Sequence, residues 1–210
     1  FQTRGMALHV SVSKDGYYQL GDENGEKSSS RGFDYAEGAG LHVHTPDIAT
    51  PVIFHLHKAG TPVELVRVSQ NPSVSRDGRP VSVVLDGNAA HAITISCLTR
   101  DNEKAADGRY DWRCEIRVPH GGLQQRLNEH HFEAPEVGYL STSTIEMPLT
   151  LEPAQWRSEA RRSYWLKFND GTHARVLVRM IAGGDHFAVI DGFLNPIPGS
   201  RNLEAEMNHQ

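Results

Sequence analysis

An all-β fold, an antiparallel β-sandwich or open barrel of about ten to twelve short strands with one short helix, is what this sequence predicts. Three observations lead there. Apolar residues recur at every second position through most of the chain, the period of a strand with one buried face. Turn-forming residues, 19 glycines and 11 prolines among 210 residues, break that pattern into short runs. Hydrophobic residues make up only 38%, with a mean hydropathy of -0.48, which suits thin sheets with a wet outer face better than a large helical core.

The elements follow in chain order. GMALHVSVS places Met6, Leu8, Val10 and Val12 on one face and His9 and Ser11 on the other, and KDG at 14–16 turns the chain. Residues 21–40 are polar and glycine-rich and predict a long loop. LHVH, VIFHLHK and PVELVRVSQ follow as short strands, and VSVVL at 81–85 is another, ending at the turn DGN. In YDWRCEIRV the residues Tyr110, Trp112, Cys114, Ile116 and Val118 alternate with Asp111, Arg113, Glu115 and Arg117, a clean division into buried and wet faces. Folding this strand onto HAITISCLT about the loop 101–109 sets Ile95 opposite Ile116 and Cys97 opposite Cys114. Opposed cysteines can be bridged when their Cα atoms lie within about 4.4–6.8 Å; the alternative is a pair of reduced thiols packed under Trp112.

STIEMPLTL is a strand interrupted by Pro148, hence at a sheet edge. EPAQWRSEARRS is the one helical candidate, with Pro153 suited to a first turn and Glu152 to a helix start. SYWLKF, NDG and THARVLVRMI predict a hairpin with its tight turn at 169–171. HFAVIDGFL closes the strands, and the turn-rich tail NPIPGSRNLEAEMNHQ, residues 195–210, is expected to fray, with its last residues disordered. The implied organisation is residues 1–20 as the end of a preceding module or the first strands, 21–40 as loop, 41–200 as sandwich, then tail. Because the chain opens at Phe1 directly in strand pattern, it is expected to begin inside or just after another module.

The net charge is -5 with no long run of one sign, so no basic footprint for nucleic acid exists. No segment reaches the roughly 20 apolar residues a membrane span needs.

VSVSKDGYY, TPVIFHLHKAG, EAPEVGYLSTSTIEMP and FLNPIPGSRNLE, in that order, resemble the C-terminal region of large secreted bacterial proteins of uncharacterised function. Those proteins often carry a carboxypeptidase-regulatory-like module, a small transthyretin-like sandwich, and ALHVSVSKDGYY looks like its last strand. The resemblance implies an exported protein, secreted or at the cell surface or periplasm, and an all-β fold. It brings no activity with it. This chain departs from the pattern at His55 and His57, where similar segments carry arginine.

Two groups of side chains could carry chemistry. On a strand, positions i and i+2 share a face, so His42 and His44 point one way, as do His55 and His57. If the two segments paired across the loop 45–51, four imidazoles would converge, with Asp47 nearby, a ligand set for Zn or Cu. The alternative puts Leu41, Val43, Val52, Phe54 and Leu56 inside and leaves the histidines on the outer face. Exposed aromatics are the second group. Trp165 is out of phase with Tyr164, Leu166 and Phe168; Trp156 lies in the polar helical stretch; Tyr17, Tyr18 and Tyr35 fall at turns or in the long loop. Such rings stack sugars, although tryptophan more often covers a sheet end. Trp112 reads as core.

Nothing supports a nucleophile: G-x-S-x-G is absent, and PGSRN at 198–202 lacks a strand-to-helix context. Carboxylates such as Asp34, Glu37, Glu129, Glu133 and Glu136 show no spacing suited to glycoside hydrolysis, and no phosphate loop or dinucleotide fingerprint is present. The expected function is therefore a non-catalytic domain binding carbohydrate or a neighbouring protein module, needing no cofactor. The alternatives are a metalloprotein built on the four histidines and an assembly domain pairing through its edge strands.

Overall fold

The computed structural model describes residues 7–19, 29–35, 43–183 and 187–205. The chain divides into two compact units, Phe1–Thr61 and Pro62–Gln210. The first unit holds β1 (Ala7–Ser11), β2 (Tyr17–Gln19), β3 (Ser30–Asp34) and β4 (Leu56–Lys58). β1 pairs antiparallel with β3, setting Leu8 opposite Phe33, and β2 pairs with β4, setting Tyr18 opposite His57. Among the described residues of this unit, Phe33 is the buried apolar one. Part of the expected loop 21–40 is thus a strand, because Arg31 to Asp34 satisfy the backbone of β1. The residues 21–28 and 36–40 of that loop lie outside the described residues.

The second unit holds β5 (Val66–Gln70), β6 (Val81–Val84), β7 (Ala92–Thr99), β8 (Trp112–Arg117), β9 (Gly121–Gln125), β10 (Thr142–Met147), β11 (Glu159–Phe168), β12 (His173–Ile181) and β13 (Phe187–Asn195). They form a four-stranded sheet, β10-β8-β7-β6, and a five-stranded sheet, β5-β13-β12-β11-β9. Every pairing is antiparallel. Ile93, Ile95, Ile116 and Ile145 of one sheet share a single core with Leu166, Val178, Ile190 and Leu194 of the other. This is the expected sandwich. Side chains also cross the layers: Tyr164 of β11 meets Ser143 of β10 hydroxyl to hydroxyl at 3.0 Å, and the Tyr110 hydroxyl donates to the Ala182 carbonyl at 3.0 Å.

The register of β7 on β8 sets Ile95 opposite Ile116 and Cys97 opposite Cys114, with the cysteines joined in a disulfide. β10 ends at Met147, before Pro148, on the sheet edge. Two expectations need correction. Residues 152–163 are not a helix. Glu152 accepts from the amides of Gln155 and Trp156 in one turn, and from Glu159 the chain is strand. A helix there would bury little, whereas extension pairs Glu159 to Lys167 with β12 along its whole length. The one helical piece among the described residues is a 3-10 turn, Ala89–His91. The tail is also anchored as far as it is described: Leu203 is fully buried, and the Leu203 amide donates to the Phe132 carbonyl at 2.8 Å. Residues 206–210 lie outside the described residues.

Candidate functional site

Because Trp112, Cys114 and Ile116 face the core, Arg113, Glu115 and Arg117 must face out. Their neighbours in the four-stranded sheet follow from register. Leu98, Arg113 and Glu146 form one cross-strand row; Ser96, Glu115 and Thr144 form the next. These rows floor a trough of two adjoining depressions, about 330 and 170 Å³, that share Leu98, Arg113 and Glu146. One depression runs on to Arg100, Asp111 and Pro148. Several acids there are already engaged: Asp111 accepts from the Leu149 amide at 2.6 Å, and Glu115 pairs with Arg117 at 3.1 Å. Arg100, Arg113 and Glu146 are exposed, and among the described residues no ion pair or side-chain hydrogen bond engages them. The trough therefore offers guanidinium donors, a carboxylate acceptor and the hydroxyls of Ser96 and Thr144 on a rigid floor.

At one end of the sandwich a second cluster is closed instead of open. His91 is 4% exposed. Its Nδ1 lies 2.8 Å from Asp86 Oδ2, and its Nε2 lies 2.9 Å from Asp170 Oδ2 and 3.0 Å from Thr172 Oγ1. Thr172 donates its amide and its hydroxyl to Asp170 Oδ1, at 3.0 and 2.7 Å. The imidazole sits 5.0 Å from the Phe168 ring. Burial alone would lower the pKa of His91, but the hydrogen bonds and charges of the two carboxylates outweigh it and raise it. Burial pushes Asp170 up, yet Thr172 and His91 together hold it down at about 2. Sequence reading missed this cluster because Asp170 lies 79 residues from His91. One signal was present: His91 is in phase with Ile93, Ile95 and Cys97, so it had to point inward.

The outer face of the five-stranded sheet is occupied by its own chain. Trp165, expected as an exposed contact, is 4% exposed and packs with Ala134, Leu203, Leu65 and Tyr139. Its phase was read correctly, but the segments 126–140 and 196–204 cover that face. They build a stack in which arginines and rings alternate. Arg67 lies 5.2 Å from Phe193, Arg175 lies 4.5 Å from Phe193 and 5.0 Å from Phe132, and Arg126 lies 5.5 Å from Phe132 and 5.0 Å from Trp165. Burial, helped by the charge of Arg175, lowers Arg126 to about 10. Arg126 spends its donors on the carbonyls of His131 and Glu129, and Arg175 donates to the Leu203 carbonyl at 2.7 Å. Trp156 is half-buried: it donates to the Tyr110 carbonyl at 3.0 Å and meets the Tyr110 ring edge-on at 5.4 Å.

In the first unit, Tyr17 carries Lys14 over its ring at 4.5 Å, and Tyr35 meets the His44 ring at 5.8 Å. Tyr18 is half-buried in β2. Among the described residues, no strand pairing brings His44, His55 and His57 together. β4, which contains His57, takes β2 as its partner, while the His44 amide donates to the Asp34 carbonyl at 2.6 Å and the His44 ring packs on Phe33 at 4.7 Å. His55 is exposed just before β4. His42 lies outside the described residues. Among the described residues no three His, Cys, Asp or Glu side chains are grouped to hold a metal ion, and no helix is long and apolar enough to cross a membrane.

Cys97 and Cys114, by contrast, lie where the strand pattern set them. They are 3% and 1% exposed with Cα atoms 4.1 Å apart. Set against known proteins, this chain matches no family model, no curated protein and no solved structure.

Proposed function

We propose that this chain is a carbohydrate-binding β-sandwich module of an exported bacterial protein, with its ligand on the outer face of the four-stranded sheet. The observation that supports this reading is the state of Arg113 and Glu146. They are cross-strand neighbours on β8 and β10, and among the described residues neither engages an ion-pair partner. Opposite charges side by side on a sheet ordinarily pair for a small gain. Left apart over a trough, they present a donor fork and an acceptor that a ligand with adjacent hydroxyls can bridge. Ser96 and Thr144 add hydroxyls on the same floor. The buried disulfide fits an oxidising compartment, in keeping with export.

An array of bacterial and plant polysaccharides tests it, read with the native chain and with Arg113→Ala and Glu146→Gln. Retention on at least one glycan, weakened tenfold or more by either substitution, is the expected result; each good hydrogen bond to a charged group carries about 1.5–3 kcal/mol. Binding that ignores both substitutions would move the site elsewhere. Absence of retention on every glycan would remove the carbohydrate reading.

A further inference from the structure

The buried cluster at His91 joins two separate parts of the sandwich. His91 and Asp86 belong to the connection between β6 and β7, in the four-stranded sheet. Asp170 and Thr172 belong to the turn between β11 and β12, in the five-stranded sheet. The charged groups facing the ring are Asp86 from its own segment and Asp170 from the opposing turn. The Thr172 hydroxyl and the Phe168 ring complete its surroundings, and neither carries a charge. Asp86 is largely enclosed, at 11% side-chain exposure, whereas Asp170 retains 37%. The carboxylate on the turn is thus the one with a path to water.

We propose that His91 is the sensor of a proton-driven latch: the imidazolium clamps the β11–β12 turn onto the β6–β7 connection, and loss of its proton releases Asp170. With both nitrogens protonated, Nδ1–H donates to Asp86 and Nε2–H donates to Asp170 Oδ2, while Thr172 donates its hydroxyl to Asp170 Oδ1. The neutral ring keeps one N–H. Held on Nδ1 by the enclosed Asp86, that proton leaves the Nε2 lone pair 2.9 Å from a carboxylate oxygen, two acceptors with nothing between them. The Thr172 hydroxyl is already 3.0 Å from Nε2, so it turns from Asp170 to the ring. The proton passes to bulk water on the Asp170 side, and the carboxylate swings outward after it.

Release reaches beyond the turn. Thr172 gives its amide to Asp170 Oδ1, and Gly171 next to it accepts from the Gly199 amide at 2.8 Å. Loosening the turn therefore slackens the anchoring of the segment around Gly199. The two carboxylates hold the His91 proton above the ordinary imidazole range, so the latch is closed in acid and opens as pH rises through that raised value. The inference is independent of the carbohydrate reading.

Imidazole NMR of the full chain, with amide exchange at Thr172 and Gly199 corrected for intrinsic rates, tests it between about pH 5.5 and 8.5. Expected are a His91 ring protonated on both nitrogens at the acid end, a titration above the usual imidazole value, and a drop in Thr172 protection of about tenfold over the same interval. Asp170→Asn should lower the His91 titration and erase the step in protection. His91→Gln should erase the step as well; should that variant not fold, Asp170→Asn carries the same readout. A ring that stays singly protonated throughout, or a step that persists in Asp170→Asn, would overturn the latch.

Discussion

Cys97 and Cys114 stand directly opposite each other on β7 and β8, and the residue on either side of each cysteine lines the trough above. Ser96 and Leu98 flank one; Arg113 and Glu115 flank the other. The bridge thus fixes, from the core side, the register of the two strands whose outward residues form the proposed ligand floor. A one-residue slip would exchange the two faces of the sheet.

Replacing both cysteines by alanine should destabilise the sandwich without changing its fold. The bridge closes a loop of 17 residues, for which chain entropy gives about 3 kcal/mol. In a domain of this size that is a fall of about 6–12 °C in Tm, readable by calorimetry under matched oxidising conditions. An unchanged Tm would show that β7 and β8 hold together without help from the bridge.

Gly192 in β13 is a backbone contact, not a turn. A Cβ there would overlap the Arg175 carbonyl oxygen and come within 2.8 Å of the Val176 Cα. Both obstacles are main chain of the neighbouring strand, so neither can rotate away. Gly192→Ala should cost about 3 kcal/mol or more. Gly32→Ala in β3, which meets nothing within 4 Å, should lie within about 0.5 kcal/mol of the native chain. Chemical denaturation compares the two; equal losses would mean β13 can move off β12.

How much of this was legible follows from the range of each interaction. The disulfide partners could be paired because both lie on one hairpin and alternate without a break. The β11–β12 hairpin was legible for the same reason. Trp165 was assigned the correct face but the wrong exposure, since nothing local announces that Ala134 and Leu203 will return to cover it. The helix at 152–163 failed because capping residues signal a first turn, while the pairing that overrides it comes from β12. His91 was hidden by type: a histidine in phase with isoleucines reads as a strand end until Asp86, five residues before it, and Asp170, 79 residues after it, are seen around the ring. The His-x-His pairs share a face on each segment, but convergence also requires the two segments to be partners, and local alternation does not specify partners.

The alternating stack of arginines and rings should contribute stability beyond the area it buries. Phe132 has the guanidiniums of Arg175 and Arg126 5.0 and 5.5 Å from its ring centre. Phe132→Leu keeps an apolar side chain but removes two cation–π contacts, each worth about 0.5–1 kcal/mol at such a site. The expected loss is about 1–2 kcal/mol, with a change in the fluorescence of the neighbouring Trp165. Arg126→Lys should lose a similar amount, because an ammonium lacks the planar fork that stacks on Trp165 and bonds two carbonyls together. No loss in either variant would reduce the stack to simple coverage.

Stability should fall on both sides of a plateau, for two separate reasons. Glu159 on β11 accepts two bonds from Arg179 on β12, both 2.7 Å, and one from Arg161 at 2.9 Å. These bonds hold its carboxyl at about 2, below the ordinary 4.5. A lowered carboxylate contributes stability above its unfolded value and loses it as pH falls through the folded one, so this contribution fades between about pH 4.5 and 2. The groups are about one-third exposed, and solvent keeps the gain below about 1 kcal/mol. His91 has the opposite sign. Its raised pKa contributes fully below the unfolded value of 6.5 and is lost as pH rises through the folded value. Thermal unfolding across the pH range should therefore show an acid limb that Glu159→Gln reduces, with Asp170, also held at about 2, supplying a further part, and an alkaline limb that His91→Gln flattens. Limbs unchanged by both substitutions would assign the pH dependence to other groups.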